Sequence, residues 1–342
     1  MSSQFTALQR TRFRLYLRIL AVSAVIGAAY GVMIAKDEVS RLAGSLSGVV
    51  NAVLIAGSIA AIEIFLLRED SSMNRLLRVP FVVLVAAKTL VYSAIVVAVV
   101  TGPARLGRPL DAYTEMVTVG FSIAITAIFV ITLQAASLIG RRTFRDLVLG
   151  RYREPRAERR FFLFVDVVGS TAIAERLGAL DAHRFLAAVF SATAEPIAAC
   201  RGEIYQYVGD EIVVTWTEIE GKPEARPLRC YFDMKAALAA RAAEFRARYG
   251  AEPDLRAALH LGEVIVGEVG EQRRAIVFHG DVMNTASRLE HATRDLGVRF
   301  IASADALHVL GPTQNMVLTD LGAVALRGRQ EPIRASGIAL RN

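Results

Sequence analysis

The stretch FFLFVDVVGST, residues 161–171, decides the fold of the C-terminal half of this 342-residue chain. An apolar, β-prone run ends in an acid, Asp166, and then in a Gly-Ser-Thr turn that precedes a helical segment. Further along the chain, Gly209-Asp210 separates two β-prone runs and is a tight hairpin signal. Strand-like and helical segments continue to alternate toward the C-terminus. The pattern predicts an α/β (α+β) sandwich domain, with helices packed on a mostly antiparallel sheet.

Composition and charge divide the chain into unequal parts. An apolar fraction of 54% with 21% charged residues excludes a disordered or collagen-like chain. The formal net charge of +7 is the sum of +5 in residues 1–140, +5 in residues 141–160 and −3 in residues 161–342. The basic excess therefore belongs to the apolar half and the short segment after it. We interpret it as a signature of membrane topology and predict no nucleic-acid partner.

Four long apolar runs precede residue 141. They lie at about 15–35, 45–67, 79–100 and 116–140. A helix needs roughly 20 residues to cross the hydrocarbon core of a bilayer, and each run is long enough or nearly so. Four such runs in succession argue against buried core helices, and the first lacks the small-residue cleavage site of a signal peptide. Residues 1–140 are thus predicted to form a membrane domain with four transmembrane helices.

The orientation of this domain follows from Lys and Arg in the loops. The N-terminal tail, the loop at 68–78 and the segment after the fourth span are rich in these residues, whereas the other two loops hold two each. We therefore predict a multi-pass protein of the cell (inner or plasma) membrane, in contact with its lipids and with both termini in the cytoplasm.

Two charges interrupt the predicted spans. Glu63 lies near the cytoplasmic end of the second span, where it can reach the interface. Lys88 lies in the middle of the third span, where an unpaired charge is costly and normally faces a partner or a cavity. A functional or assembly role for Lys88 and snorkelling to the interface are the two alternatives.

Residues 141–160 form a basic juxtamembrane linker with interleaved apolar residues. One interpretation is an anchor along anionic headgroups, and a second is a short helical connector that holds two copies of the chain in register. Pro155 limits any helix, because the residue before a proline is disfavoured in the α region. Residues 161–342 then form the C-terminal domain.

The candidate chemistry of this domain lies in its turns. If the strands that carry Asp166 and Asp210 are neighbours, the two carboxylates lie close together at one sheet edge. Paired carboxylates suit hard divalent cations that also bind phosphate oxygens. The backbone after Asp166 can supply N–H groups to phosphates. Asn284 and Arg288, spaced i, i+4 behind a predicted N-cap at Asp281, project from one helical face and can hold a ribose and a phosphate. Taken alone, Asp166 and Asp210 are better explained as ordinary turn residues. Asn284 and Arg288 alone are equally well explained as a polar helix face in solvent.

Together, five segments carry a family resemblance. FFLFVDVVGST, YQYVGDEIVVTW, RAALHLGEVIVGEVG, FHGDVMNTASRLE and LRGRQEP resemble, in order and spacing, the catalytic domain of class III nucleotide cyclases. The resemblance covers about residues 158–340. It implies the α/β sandwich of that family, two catalytic domains paired head to tail, and active sites at the homodimer interface.

The resemblance also implies roles for individual residues. Asp166 and Asp210, with the Val167 carbonyl, would bind two Mg²⁺ or Mn²⁺ ions per active site. From the other subunit, Asn284 would orient the ribose and Arg288 would stabilise the charged transition state. Arg329 stands where the family more often has lysine and would contact the terminal phosphates. The positions expected to bind substrate are Gly169, Ser170, Thr171, Gln206, Val277 and Arg329.

Base recognition is where this chain departs from the family pattern. Gln206 replaces the lysine common in adenylate cyclases or the glutamate common in guanylate cyclases, and Val277 replaces an Asp or Thr. Glutamine has both a donor and an acceptor and can match adenine. We therefore expect a membrane-anchored adenylate cyclase that converts ATP to 3′,5′-cyclic AMP and pyrophosphate by a two-metal mechanism. The alternatives are GTP or a pyrimidine nucleotide as substrate, and a catalytically silent nucleotide-binding receptor.

Overall fold

The computed structural model describes residues 7–35, 38–66, 80–105, 112–271, 274–311 and 315–341. The chain divides into two compact units, Met1–Arg141 and Arg142–Asn342. The loop at 68–78, Lys36 and Arg108, on which the predicted orientation partly depends, lie outside the described residues.

The first unit consists of long apolar helices. They are α1 (Ala7–Ile34), α2 (Glu38–Ala61), which continues as a π-helical turn (Ile62–Leu66), α3 (Phe81–Arg105) and α4 (Ala112–Ile139). Within the described residues, four segments are long and apolar enough to cross a membrane: Phe13–Ile34, Arg41–Ile64, Val82–Gly102 and Glu115–Ala136. Many of their large apolar side chains are exposed, as contact with lipid requires. The prediction of four apolar helices is confirmed.

Glycines set the distance between α1 and α2. A Cβ atom added to Gly31 would lie 2.0 Å from the carbonyl oxygen of Gly44, and one added to Gly27 would lie 2.2 Å from that of Gly48. Both distances are far below van der Waals contact. The two helices pack backbone against backbone, in the manner of small-xxx-small motifs in membranes.

The two charges within the predicted spans form a pair. Lys88 Nζ donates to the two carboxylate oxygens of Glu63 over 2.7 and 2.9 Å, and Tyr92 Oη donates to the first of them over 2.8 Å. Glu63 lies in the π-helical turn that ends α2. Each of the two charges therefore has a partner of opposite sign. An ion pair costs less than two isolated charges in an apolar layer, and this pair joins α2 to α3.

The second unit is built on one sheet flanked by helices. Its elements are α5 (Arg141–Val148, beginning at the boundary), β1 (Arg156–Val167), α6 (Ser170–Leu177), α7 (Ala179–Ala199), β2 (Glu203–Val208), β3 (Glu211–Thr217), α8 (Glu218–Gly221), α9 (Arg226–Ala240), α10 (Ala242–Tyr249), β4 (Leu255–Val269), β5 (Ala275–His279), α11 (Asp281–Asp295), β6 (Phe300–Ser303), α12 (Ala304–Leu310), β7 (Met316–Val324) and β8 (Ile333–Leu340). The strand order among the described residues is β2-β3-β1-β4-β6-β8-β7, with β5 paired to β4. Only the β4–β6 pair in this sheet is parallel, so the predicted α/β sandwich with a mostly antiparallel sheet is confirmed.

The two faces of the sheet carry separate cores. Along β1, Leu163 and Val165 pack into the larger core, which the helices α7 and α9 cover. Phe162 and Phe164 point to the other face and pack with residues of α11. Since side chains alternate along a strand, Asp166 belongs to the face that α11 covers.

The sheet begins earlier than the charge pattern suggests. β1 starts at Arg156, inside the segment predicted as a linker, and Arg156 and Arg160 pair with Val266 and Gly262 of β4. Tyr152 is buried, and its carbonyl accepts a 2.9 Å hydrogen bond from the Glu268 amide. A run of arginines resembles a solvated linker in sequence, but here one of them is a buried strand residue. Residues 141–148 are helical, as the connector interpretation of this segment requires.

Candidate active site

The pairing of β1 with β3 brings the first two candidate residues together. Asp166 lies opposite Glu211 in the register, and the Val167 amide donates to the carbonyl oxygen of Asp210 over 3.3 Å. Asp210 occupies the turn between β2 and β3, next to the end of β1. The two carboxylates therefore lie side by side at one sheet edge, in the arrangement that the sequence pattern predicts for neighbouring strands.

The turn after β1 prepares a helix N-terminus beside these acids. Gly169 adopts the left-handed conformation (φ 71°) and precedes α6, which has no side-chain N-cap. The amides of Ser170, Thr171 and Ala172 precede the first intrahelical bond, from Ile173 to Gly169, and are free of the helix ladder. The Ser170 hydroxyl donates to Oδ2 of Asp210. Such a terminus favours anions such as phosphate groups.

Two arginines contact Asp166 that the sequence analysis did not single out. Arg256 Nε and Nη2 donate to Oδ2 of Asp166 over 2.8 and 2.5 Å, and Arg294 Nη2 donates to the same oxygen over 3.2 Å. Arg256 Nε also donates to Glu290 Oε1 over 2.9 Å. The signal available in the sequence is Arg256 itself, a charged residue at the start of β4 that is followed by an apolar run.

Negative charge dominates this end of the sheet. Burial raises the pKa of Asp166, an effect that hydrogen bonds from Arg256 oppose and the charge of Asp210 reinforces. Burial, together with neighbouring carboxylates, raises the pKa of Glu211 to about 7. Burial also raises the pKa of Glu290. A cation is favoured at such a place, and the carboxylate oxygens of Asp166 and Asp210 are the hard donors that Mg²⁺ and Mn²⁺ prefer. The residues present fit a divalent cation site.

The third element of the candidate site is the N-terminal half of α11. Gly280, and not the predicted Asp281, is the N-cap. Asp281 is the first helical residue, and its carboxylate accepts a 2.6 Å hydrogen bond from Arg329. Asn284 is exposed and Arg288 is half-buried. A Cβ atom added to Gly328 would lie 3.7 Å from Arg288 Nη2, so the turn that carries Arg329 packs close to Arg288.

The two groups of residues lie at opposite ends of α11. Arg329 contacts the helix at Asp281 and Thr285, whereas Glu290 and Arg294 contact Arg256 and Asp166. The ten steps from residue 284 to residue 294 correspond to about 15 Å along a helix axis. One chain thus holds two half-sites: an acidic one around Asp166 and a polar–basic one around Asn284.

The candidate base-recognition residues lie on two different strands. Gln206 is exposed on β2, opposite Val213 of β3, at the edge of the sheet. Val277 is half-buried on β5, opposite Gly267 of β4. Gln206 lies in the half of β2 that leads to the Asp210 turn, and Val277 lies in the middle of β5, two residues before the end that leads to α11.

Known proteins resemble both the sequence and the fold. "Adenylate cyclase 2" of Rhizobium meliloti (strain 1021) is 36% identical over 234 residues, which are 68% of this chain and 64% of that protein. "Adenylate cyclase 1" of the same organism is 30% identical over 179 residues, which are 49% of this chain and 25% of that protein, so this chain spans less than two thirds of either relative. A solved bacterial light-regulated adenylyl cyclase has a similar fold, with 19% identity, a TM-score of 0.55 and 67% of each chain covered.

A protein family match delimits the domain. The sequence from 154 to 335, which includes β1 and both half-sites, matches the family described as "Adenylate and Guanylate cyclase catalytic domain". The match covers more than half of the 342 residues. The chain therefore belongs to the adenylate and guanylate cyclase catalytic domain family.

Proposed function

We propose that this protein is a membrane-anchored adenylate cyclase that converts ATP to 3′,5′-cyclic AMP and pyrophosphate at the cytoplasmic face of the cell membrane. The observation that carries the proposal is the pair of adjacent carboxylates, Asp166 and Asp210, beside the uncapped N-terminus of α6. Membership of the cyclase family supports the reaction type. The four apolar helices of the first unit support the anchor.

Asp166 and Asp210 would hold two Mg²⁺ or Mn²⁺ ions, assisted by the Val167 carbonyl. Two such ions, when bound, would lower the pKa of the ribose 3′-hydroxyl and would neutralise charge on the phosphates. The Ser170 hydroxyl, which donates to Asp210, helps to keep that carboxylate in place.

The remaining residues of the site bind and orient the nucleotide. The amides of Gly169, Ser170 and Thr171 would contact phosphate oxygens, and Arg329 would contact the terminal phosphates. Asn284 would hold the ribose so that its 3′-oxygen faces the α-phosphorus. A bond then forms between these two atoms, the bond to pyrophosphate breaks, and the hydroxyl proton is released. Arg288 would stabilise the negative charge that develops on the α-phosphate.

The separation of the half-sites supports a homodimer. Asn284 lies about 15 Å along α11 from the residue that contacts Asp166, so one chain does not surround one nucleotide with both groups. A head-to-tail dimer pairs the acidic half-site of each chain with the polar–basic half-site of the other. A dimer of this kind with two-fold symmetry contains two equivalent sites. The membrane helices would keep the two copies together.

A second candidate function keeps the reaction and changes the base. Gln206 presents an amide that can turn to suit adenine or another base, and Val277 adds no hydrogen bond. Gln206 and Val277 are therefore expected to discriminate ATP from other nucleotides less strongly than a lysine–aspartate pair at the same positions. GTP or a pyrimidine nucleotide is therefore the competing substrate.

The experiment that decides is a competition among ATP, GTP, CTP and UTP, with the full chain in detergent and Mn²⁺ present. We expect cyclic AMP as the main product by mass spectrometry. Asp210→Asn should abolish it, whereas Asp181→Asn, which alters an exposed acid on α7, should not. Preferred turnover of another nucleotide would support the second candidate. Nucleotide binding without any cyclic product would instead favour the silent receptor.

Mixing two inactive variants tests the shared site. Asp210→Asn damages only the acidic half-site, and Arg288→Gln damages only the polar–basic one. A mixed dimer retains one intact site of two, so co-expression in equal amounts should recover about a quarter of the wild-type activity. No recovery, in a sample where mixed dimers are demonstrated by affinity tags, would contradict sites shared between copies.

A further inference from the structure

Arg256 contacts Asp166 in an unusually one-sided way. Both of its donating nitrogens, Nε at 2.8 Å and Nη2 at 2.5 Å, point to the same oxygen, Oδ2. Arg294 also reaches Oδ2. Among the described residues, every arginine contact to Asp166 goes to Oδ2 and none goes to Oδ1. One oxygen of this candidate ligand is therefore occupied by arginine, and the other is free of arginine.

Arg256 is itself held in place by a buried acid. Its Nε donates to Glu290 Oε1 over 2.9 Å, and the Glu290 side chain is 1% exposed. Arg256 lies directly opposite Asp166 in the β1–β4 register, and its side chain is 12% exposed. Two carboxylates on different elements thus hold one guanidinium, whose planar, rigid donor set leaves it little freedom to rotate. Arg294, at 55% exposed, is in solvent and contributes much less.

We propose that Arg256, anchored by Glu290, is a positioning residue for the cation site: it fixes the carboxylate of Asp166 so that Oδ1 is presented to the divalent cation. The inference rests on the proposed function, because it assigns a role toward the cations of that reaction. Residues that orient metal ligands typically change affinity or activity by 10- to 100-fold when they are replaced.

Positioning and simple charge have opposite consequences. As a bare positive charge near the site, Arg256 would repel a cation, and its removal would tighten binding. As a positioning residue, its removal frees the Asp166 carboxylate to rotate and weakens binding. The sign of the change in Mn²⁺ affinity therefore separates the two roles.

The test is Mn²⁺ binding to the full chain in detergent, with Mn²⁺ alone as the probe and free Mn²⁺ measured by electron paramagnetic resonance. For Arg256→Met we expect a dissociation constant about 10- to 100-fold higher than that of the wild type. Glu290→Gln should raise it less, and the double variant should be no weaker than Arg256→Met, because Glu290 acts through Arg256. Arg184→Met, which removes an exposed arginine from an Arg–Asp pair on α7, is the matched control and should leave it unchanged.

Arg256→Lys keeps the charge but loses the two-nitrogen contact, and it decides the matter if Arg256→Met does not fold. We expect it to bind Mn²⁺ more weakly than the wild type. Equal or tighter binding by either folded Arg256 variant overturns the inference. Asp166→Asn separates this outcome from a failure of the proposed function: if Asp166→Asn binds Mn²⁺ as the wild type does, the cation site itself is wrong. If only Asp166→Asn weakens binding, the role of Arg256 alone is wrong.

Discussion

Arg160 on β1 donates a 2.7 Å hydrogen bond to Glu203 on β2, although β3 lies between these two strands. On the way, its Nε donates to Thr215 of β3 over 3.1 Å, and its Nη1 donates to Glu158 over 2.9 Å. The guanidinium carbon lies 4.8 Å from the centroid of the Phe278 ring, and the side chain is 1% exposed. This buried cation ties the edge strand, and with it the hairpin that carries the second candidate ligand, to the centre of the sheet.

Replacing Arg160 by Met should therefore destabilise the catalytic unit by about 3–5 kcal/mol, because Glu158 and Glu203 lose their buried partner. Urea unfolding of the full chain, followed by tryptophan fluorescence, measures the change. Trp216 is the single tryptophan of the chain and is fully buried on β3, so the signal reports this unit alone. Arg159→Met, which removes a neighbouring exposed arginine, should cost less than about 1 kcal/mol. An equal loss of unfolding free energy in the two variants would contradict the inference that the buried contacts of Arg160 stabilise this unit.

His260 should make this unit sensitive to acid. Burial lowers its pKa to about 4, and its Nδ1 lies 2.8 Å from Ser303 Oγ. An unfolded histidine has a pKa of about 6.5. As the pH falls from 6.5 toward 4, the unfolded chain binds a proton that the folded chain does not, so the free energy of unfolding falls by roughly 3 kcal/mol. Above pH 6.5 this contribution is constant.

The measurement is urea unfolding, followed by Trp216 fluorescence, from pH 7 down to pH 4.5 for the wild type and for His260→Gln. Other groups also titrate over this range, but they are common to both proteins. The difference between the two curves isolates His260. We expect the variant to lose less stability on acidification; parallel curves would refute the prediction.

Gly31 should tolerate no side chain. In Gly31→Ala the added methyl carbon meets the Gly44 carbonyl, so α1 and α2 must separate, at a cost of about 1–3 kcal/mol. Gly120→Ala on α4 is the matched control, since its added Cβ would meet no described heavy atom within 4 Å. Unfolding of the purified chain by increasing SDS in mixed micelles compares the two. If both variants unfold at the same SDS concentration, the close packing of α1 and α2 does not determine the stability of the helices.

The Glu63–Lys88 pair should behave as a unit. Lys88→Met leaves an unpaired acid among apolar helices and should destabilise the membrane unit by about 3–5 kcal/mol. The double variant Lys88→Met with Glu63→Gln removes both charges and should recover most of that loss. SDS titration again supplies the measurement. Additive losses in the double variant would mean that the two side chains are not coupled.

Much of this architecture was predictable from local sequence. Runs of about 20 apolar residues predict membrane helices, because a helix of that length is needed to cross the hydrocarbon core of a bilayer. Alternating β-prone and helical segments predict the sandwich, and an acid at the end of a strand together with a Gly-Asp hairpin predicts a carboxylate pair. Spacing along one helix likewise indicates that Asn284 and Arg288 share a face. Each of these inferences depends on residues that are close together in the sequence, within one or two elements. Over that range the periodicity of the sequence indicates the secondary structure.

Other features were decided only by the tertiary structure. Arg156–Arg160 has the composition of a linker, yet these residues form the first part of β1, because the buried Arg160 pairs with Glu158 on the same strand and with Glu203 on β2. Glu63 forms an ion pair with Lys88 only when α2 and α3 pack together. Arg256 contacts both Asp166 and Glu290 only when β1 pairs with β4 and α11 packs against these strands. Sequence alone determined which residue types and which elements this chain possesses. Strand register and helix packing decided which charges meet, because ion-pair partners far apart in sequence are selected by burial and distance in space and not by spacing along the chain.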